Sequence, residues 1–279
     1  TVLVYRQDDL ANAGARSQSL VATEAYVIDE LHIEDGTGGS VVLQRRGEHW
    51  LLPALAGLHS NPERVENALQ KLIGEDPGWT EAHTLAARQR FQVASYNLRR
   101  KDDLYSLGQL EGTVYLGTSP GFRKVHARND ASDAIYSLDL NLYDLPVDPG
   151  KWLEPSLLQV RAPIEVTADG YSLQRVDGQW RLGTGELPDQ RELQALLDAL
   201  RNLQVLGVAT DEAQATVKET EAELILEIIG LARRTRLALF REGDMNYVSS
   251  SEYPYLFRIS AYDFDRLTGI DSFLLSGAQ

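Results

Sequence analysis

Along this chain short runs of alternating apolar and polar residues give way to a helical spacing and then return to alternation, and the whole progression occurs twice. Leu43-Gln44-Arg45 followed by Trp50 is answered by Leu173-Gln174-Arg175 followed by Trp180. In the first half, Tyr26, Val27, Ile28, Leu31 and Ile33 predict a strand over 25–34. Glycines at 36, 38 and 39 predict a turn, 41–46 the next strand, and Gly47-Glu48 a tight reversal into 49–52. The second half repeats this as strands over 164–167, 171–176 and 179–182, with turns at Asp169-Gly170 and Asp177-Gly178. Asp-Gly between alternating runs is a strong hairpin signal, because both residues tolerate the positive φ of the favoured two-residue turns.

Each hairpin leads to an apolar stripe at helical spacing, Val65, Leu69 and Leu72 in one half and Leu193, Leu197 and Leu200 in the other. Asn61, with Pro62 and Glu63 behind it, marks the start of the first helix and Gly74 its end. Asp189 caps the second, with Gly207 beyond its end. A further helix is expected over 80–90 from Ala82, Leu85 and Ala86. Strands follow over 91–98, 114–117, 122–128 and 135–138, and in the second half over 222–229, 236–240, 246–250 and 256–259. A period above about 100 residues is too long for a solenoid unit. The pattern therefore predicts an α+β fold, a tandem duplication of a mainly antiparallel sheet plus helix module. The Asp148-Pro149-Gly150 step and Ala162-Pro163 bracket a boundary placed near Gln159, giving repeats over 25–159 and 160–279. Residues 1–24, rich in Ala, Ser, Gln and charge, are expected to be a linker after a removed N-terminal segment. Their first five residues fit the tail of a membrane helix and an edge strand equally well.

Composition narrows the function classes. With 43% apolar and 24% charged residues over 279 positions, the chain can bury a proper core. A net charge of -14 opposes phosphate backbones and anionic lipid surfaces, so no nucleic-acid partner is expected. The absence of cysteine excludes disulfides, thiolate chemistry and Cys-based zinc sites, and fits an oxidising compartment without demanding one. No apolar run approaches the roughly 18 residues that span a bilayer.

The candidate chemistry is sparse. Gly117-Thr118-Ser119-Pro120-Gly121 matches a nucleophile elbow, but that elbow uses the N–H after its serine, and Pro120 has none. A hairpin turn is the better reading. The histidines at 32, 49, 59, 83 and 126 lack the spacing of a helical metal pair, and no metal or cofactor is expected. Gly183-Thr184-Gly185 lacks the Lys-Ser/Thr of a phosphate loop. Glu219, Glu221 and Glu223 have period two, which suits the solvated face of a strand better than an acid–base pair. The 122–128 alternation places Phe122, Lys124, His126 and Arg128 on one face, a basic strip on an acidic protein that the matching stretch 244–250 does not carry. That strip is the candidate contact surface, against the alternative of an edge strand guarded by its charges. Trp50 and Trp180 are expected to be structural, locking hairpin to helix in each copy.

The stretches 90–94, 114–128, Ile135-Tyr136 and 152–158, within a unit of hairpin, Trp, loop, helix and strands, resemble the bacterial family of unknown function DUF 4340. The resemblance covers nearly all of the chain after residue 24. It implies one membrane helix ahead of an extracytoplasmic domain, encoded beside components of a gliding-type ABC transporter. The family brings no catalytic residues. The resemblance therefore implies a non-enzymatic, membrane-tethered accessory or scaffold domain on the periplasmic face of the inner membrane, with membrane proteins of a transporter complex as partners. The alternatives are a solute- or glycan-binding module using a cleft between the halves and, further off, an envelope hydrolase using Glu219, Glu221 or Glu223.

Overall fold

A computed structural model of the protein describes residues 19–74 and 77–277, so the expected features of residues 1–18 lie outside the described residues. The chain divides into two compact units between Trp152 and Leu153, ahead of the Gln159 boundary. The reason is local. Pro155 O accepts from Val205 N and Val160 N donates to Leu200 O, which commits the 155–160 stretch to the second unit. In the expected linker, Leu20 and Val21 are buried, and Leu20 O accepts a 2.6 Å hydrogen bond from Asn129 Nδ2.

The first unit is built from strands β1 (Glu30–Asp35), β2 (Ser40–Arg46), β3 (His49–Leu52), β4 (Leu58–His59), β5 (Val93–Ala94), β6 (Asn97–Leu98), β7 (Arg100–Ser106), β8 (Gln109–Leu116), β9 (Val125–Asn129) and β10 (Tyr136–Leu138). Eight of these form one sheet in the order β4-β3-β2-β1-β7-β8-β9-β10, while β5 and β6 pair separately. The Pro62–Leu69 helix starts where Asn61 accepts from Arg64 N at 3.0 Å, and it continues into a π-helical turn, Gln70–Gly74. Its buried Val65 and Leu69, with Leu72, are the predicted stripe. The helix expected over 80–90 is Leu85–Phe91, capped by Thr84.

The second unit contains β11 (Pro163–Ala168), β12 (Tyr171–Val176), β13 (Gln179–Leu182), β14 (Val205–Val208), β15 (Leu224–Gly230), β16 (Arg234–Glu242), β17 (Met245–Ser250) and β18 (Tyr253–Ile259). They form a sheet in the order β13-β12-β11-β15-β16-β17-β18-β14. The Gln190–Arg201 helix is capped by Asp189, which accepts from Arg191 N and Glu192 N. Asp177 and Gly178 both have positive φ, 50° and 85°, as the two-residue hairpin requires.

The two sheets share a plan: β3-β2-β1-β7-β8-β9-β10 in one is β13-β12-β11-β15-β16-β17-β18 in the other. Register makes the match residue by residue. Leu31 pairs with Leu43 and Leu104, and Val166 with Leu173 and Ile228. The first sheet adds β4 beyond β3, whereas the second adds β14 beyond β18, so β13 is an edge. That difference decides the indoles. Trp50 is 4% exposed beside β4, while Trp180, on the bare edge, is only half-buried. The two indoles are therefore not equally enclosed, Trp50 being a core residue and Trp180 a partly exposed one.

Candidate functional site

Strand β9 begins at Val125, so only His126 and Arg128 of the predicted strip lie on it, and neither is exposed. Phe122 and Lys124 precede the strand in an open loop, Phe122 being 91% exposed. His126 and Arg128 are 5% and 6% exposed, because residues 81–98 fold over that face of the sheet. Ala82 bridges Ile135, and Ala87, Val93, Tyr115 and Ile135 form a small apolar cluster beneath the covering segment. The sequence gives no sign of this lid, since the same alternation serves a face covered by solvent or by chain.

Within the cover both side chains have partners. The His126 ring stacks on Phe91 at 3.9 Å, its Nδ1 donates to Thr118 O at 2.8 Å, and its Nε2 lies 3.1 Å from Glu81 Oε2. Arg128 donates to the carbonyls of Val93, Asn129 and Ser132 and lies over the Tyr115 ring. Burial, with Arg88 nearby, pulls the Arg128 guanidinium below its ordinary pKa. Buried polar groups of this kind are stabilising only when their partners are all present. His126 and Arg128 therefore fasten the 81–98 segment to the sheet. The other side of that segment is open, and Trp79, just ahead of it, is 94% exposed, Tyr96 69% and Leu85 66%. Leu85, one of the apolar residues that predict the helix, faces outward and Ala87 is buried in its place, while Trp79 and Tyr96 carry no sequence signal, because an exposed aromatic and a core aromatic look alike at isolated positions.

A second feature lies beside the 117–124 loop. Arg99, Arg100, Ser119, Arg123, Lys124 and Asn141, with Tyr143, line a cleft of about 400 Å³. In the 117–121 motif, Ser119 Oγ donates to Gly121 O at 2.6 Å, which is turn chemistry, and His126 faces Thr118 instead of the serine. Gly117 has no room for a side chain: a Cβ there would stand 1.9 Å from Phe91 O.

The remaining candidates disperse. Strand β15 begins at Leu224, so Glu219 and Glu221 lie in the turn before it and share no strand face with Glu223. Glu223 pairs with Arg241 at 3.3 Å. The His49 and His59 rings stack at 4.6 Å, and among the described residues no group of three or more His, Asp or Glu is placed to hold a metal. Among the described residues no helix is long and apolar enough to cross a membrane.

One buried group has no counterpart in the other unit. Asp102 on β7 is 0% exposed, and neither carboxylate oxygen has a hydrogen-bond partner. It pairs in register with Ile33 and Val114. The shared register puts Leu226 at this place in the second sheet, where it pairs with Leu237. Burial first, with Asp103 adding to it and Arg100 opposing it, pushes the Asp102 carboxyl well above the ordinary 3.8.

A family model described as Domain of unknown function (DUF4340) matches residues 50–222, more than half of the chain and across both units. No curated protein and no solved structure matches it.

Proposed function

This chain belongs to the DUF4340 family, and from that premise we propose that it is a non-enzymatic accessory domain of the cell envelope that works by protein contact. In this reading it stands on the extracytoplasmic face of the inner membrane, tethered by a segment ahead of it, and touches membrane proteins of an ABC transporter assembly. The observation that carries the contact role is the outward side of the 77–98 stretch, which displays Trp79, Leu85 and Tyr96 while the buried His126 and Arg128 hold the underside of 81–98. Trp and Tyr are among the residues that most often dominate protein interfaces, and exposed apolar groups in one patch mark contact sites. The acidic surface supports the same reading, because charge of one sign disfavours anionic lipid and leaves protein as the partner. The transporter context comes from the family resemblance.

The test is a paired substitution, Trp79→Ala with Tyr96→Ala, in the tethered protein in its native membrane. Loss of two anchors is expected to weaken association with the permease component by about 2 kcal/mol, roughly thirtyfold, read by quantitative crosslinking and copurification. The thermal midpoint should not move, because both side chains are mostly exposed. Unchanged crosslinking would show that this surface is not the interface.

A further inference from the structure

We propose that the cleft between the 117–124 loop and residues 141–143 of the first unit binds a phosphate monoester. Four cations, Arg99, Arg100, Arg123 and Lys124, converge on about 400 Å³ of open space in a chain whose net charge is -14. Two of them have carboxylates nearby, Arg100 with Asp35 at 3.8 Å and Lys124 with Asp139 at 3.5 Å. Arg99 is held by the neutral amide of Gln92, at 2.8 Å, and Arg123 makes no ion pair among the described residues. Four cations against two carboxylates leave a surplus of two positive charges. A phosphate monoester carries about -1.5 to -2 near neutral pH and matches that surplus.

Geometry favours the same class. Planar guanidinium groups bind phosphate oxygens in pairs, where a carboxylate of single charge would leave half of the surplus unmatched. Asn141 uses its Oδ1 to accept from Tyr143 N at 3.0 Å, which leaves its Nδ2 to donate to a ligand. Tyr143, 82% exposed at the rim, offers a ring face for whatever the phosphate is esterified to. The acidic remainder of the protein does not defeat the site, because at physiological salt its field is screened over about 8 Å.

The second unit shows that the module does not need these groups. Strands β8 and β9 are joined by the whole 117–124 loop, whereas β16 and β17 are joined by Gly243-Asp244 alone. The shared register sets Glu223 and Leu224 where the first unit has Arg99 and Arg100. The loop and its cations are thus specific to one copy, and the duplicated plan does not call for them. This site is separate from the Trp79–Tyr96 surface, so either assignment can fail alone.

The experiment titrates the protein with glucose 6-phosphate, inorganic phosphate and glucose, each against sodium chloride at matched ionic strength, by calorimetry and thermal midpoint. Saturable binding of glucose 6-phosphate and none of glucose is expected. Arg123→Gln with Lys124→Gln should weaken it at least tenfold while leaving the ligand-free midpoint in place, since both positions are exposed. Arg181→Gln, on β13 of the second unit, should bind as the parent does. Absence of saturation, equal affinity in the double variant, or binding of inorganic phosphate with exclusion of the ester would each overturn the proposal.

Discussion

Asp102→Leu is expected to stabilise the first unit by about 3 kcal/mol at pH 7. The gain combines the removal of an unpartnered buried polar group, about 1–3 kcal/mol, with the burial of an added apolar side chain. Leucine is the residue the second unit holds at this register, fully buried as Leu226. The sign with pH follows from linkage. Asp102 has a raised pKa in the fold, so the folded state binds its proton more tightly than the unfolded chain does. Its cost is absent below about pH 4, grows as pH rises through the folded pKa, and is constant above it. Asp35 and Asp144 run the other way. Burial opposes ionisation at both, but hydrogen bonds from Thr37 and Gly39 to Asp35, and from Lys71 and Asn141 to Asp144, win and lower their pKa values. Their stabilisation is present above about pH 4 and is lost as pH falls through the lowered values. The two windows do not overlap. Asp102→Asn, which keeps the size, should therefore flatten stability only on the side above pH 4, and denaturation series from pH 3 to 9 would read it. An Asn variant with the parent's slope would mean that the carboxyl is hydrated.

Gly117→Ala is expected to cost about 3 kcal/mol, the upper end of ordinary overpacking. The added methyl would stand 1.9 Å from Phe91 O and 2.7 Å from Gln92 O, and both are backbone atoms without a rotamer to escape into. The same place carries the 2.8 Å hydrogen bond from Thr118 N to Phe91 O, so separating the loop from the end of the Leu85–Phe91 helix also loosens the cover over His126. Gly121→Ala, four positions on in the same glycine-bracketed motif, meets nothing within 4 Å and should be nearly neutral. Urea unfolding of the pair separates the two cases. Equal midpoints for the two variants would contradict the close approach.

These two residues also mark where the sequence stopped being legible. Hairpins, caps and helical stripes were readable because each is a local rule: Asp177-Gly178, Asn61-Pro62 and Asp189 act on their own neighbours. Strand β7 is not among the expected strands, because the four charged residues Arg100, Lys101, Asp102 and Asp103 show no apolar–polar alternation. Yet β7 sits at the middle of the sheet beside β1, and its pairing is what makes Asp102 buried. Strand β14 and the Asp211–Val217 and Ser272–Leu275 helices are short, whereas the Ala261–Thr268 helix, with its Ser260 cap and buried Phe264 and Leu267, was legible and is absent from the expected elements. At the candidate surface the alternation of Lys124, His126 and Arg128 was visible, but the segment that covers the last two was not. Arg99-Arg100 and Arg123-Lys124 were present as basic pairs, and only folding brings them to one cleft. Trp180 looked equivalent to Trp50 because the strand that shields one of them, β4, has only two residues.

The central claim is that one module was copied in tandem and that both copies keep the same strand order and register. The absence of cysteine allows a direct measurement. Cysteine pairs placed at Glu30 and Tyr105, and at Glu165 and Ile229, occupy matching cross-strand positions at the non-local β1–β7 and β11–β15 junctions. On mild oxidation of the folded protein both pairs are expected to form disulfides, detected by mass spectrometry of the linked peptides. The offset pair, Glu30 with Asp103, should stay reduced. A disulfide in one unit but not the other, or crosslinking of the offset pair in preference to the matched one, would contradict a shared register and with it the duplication.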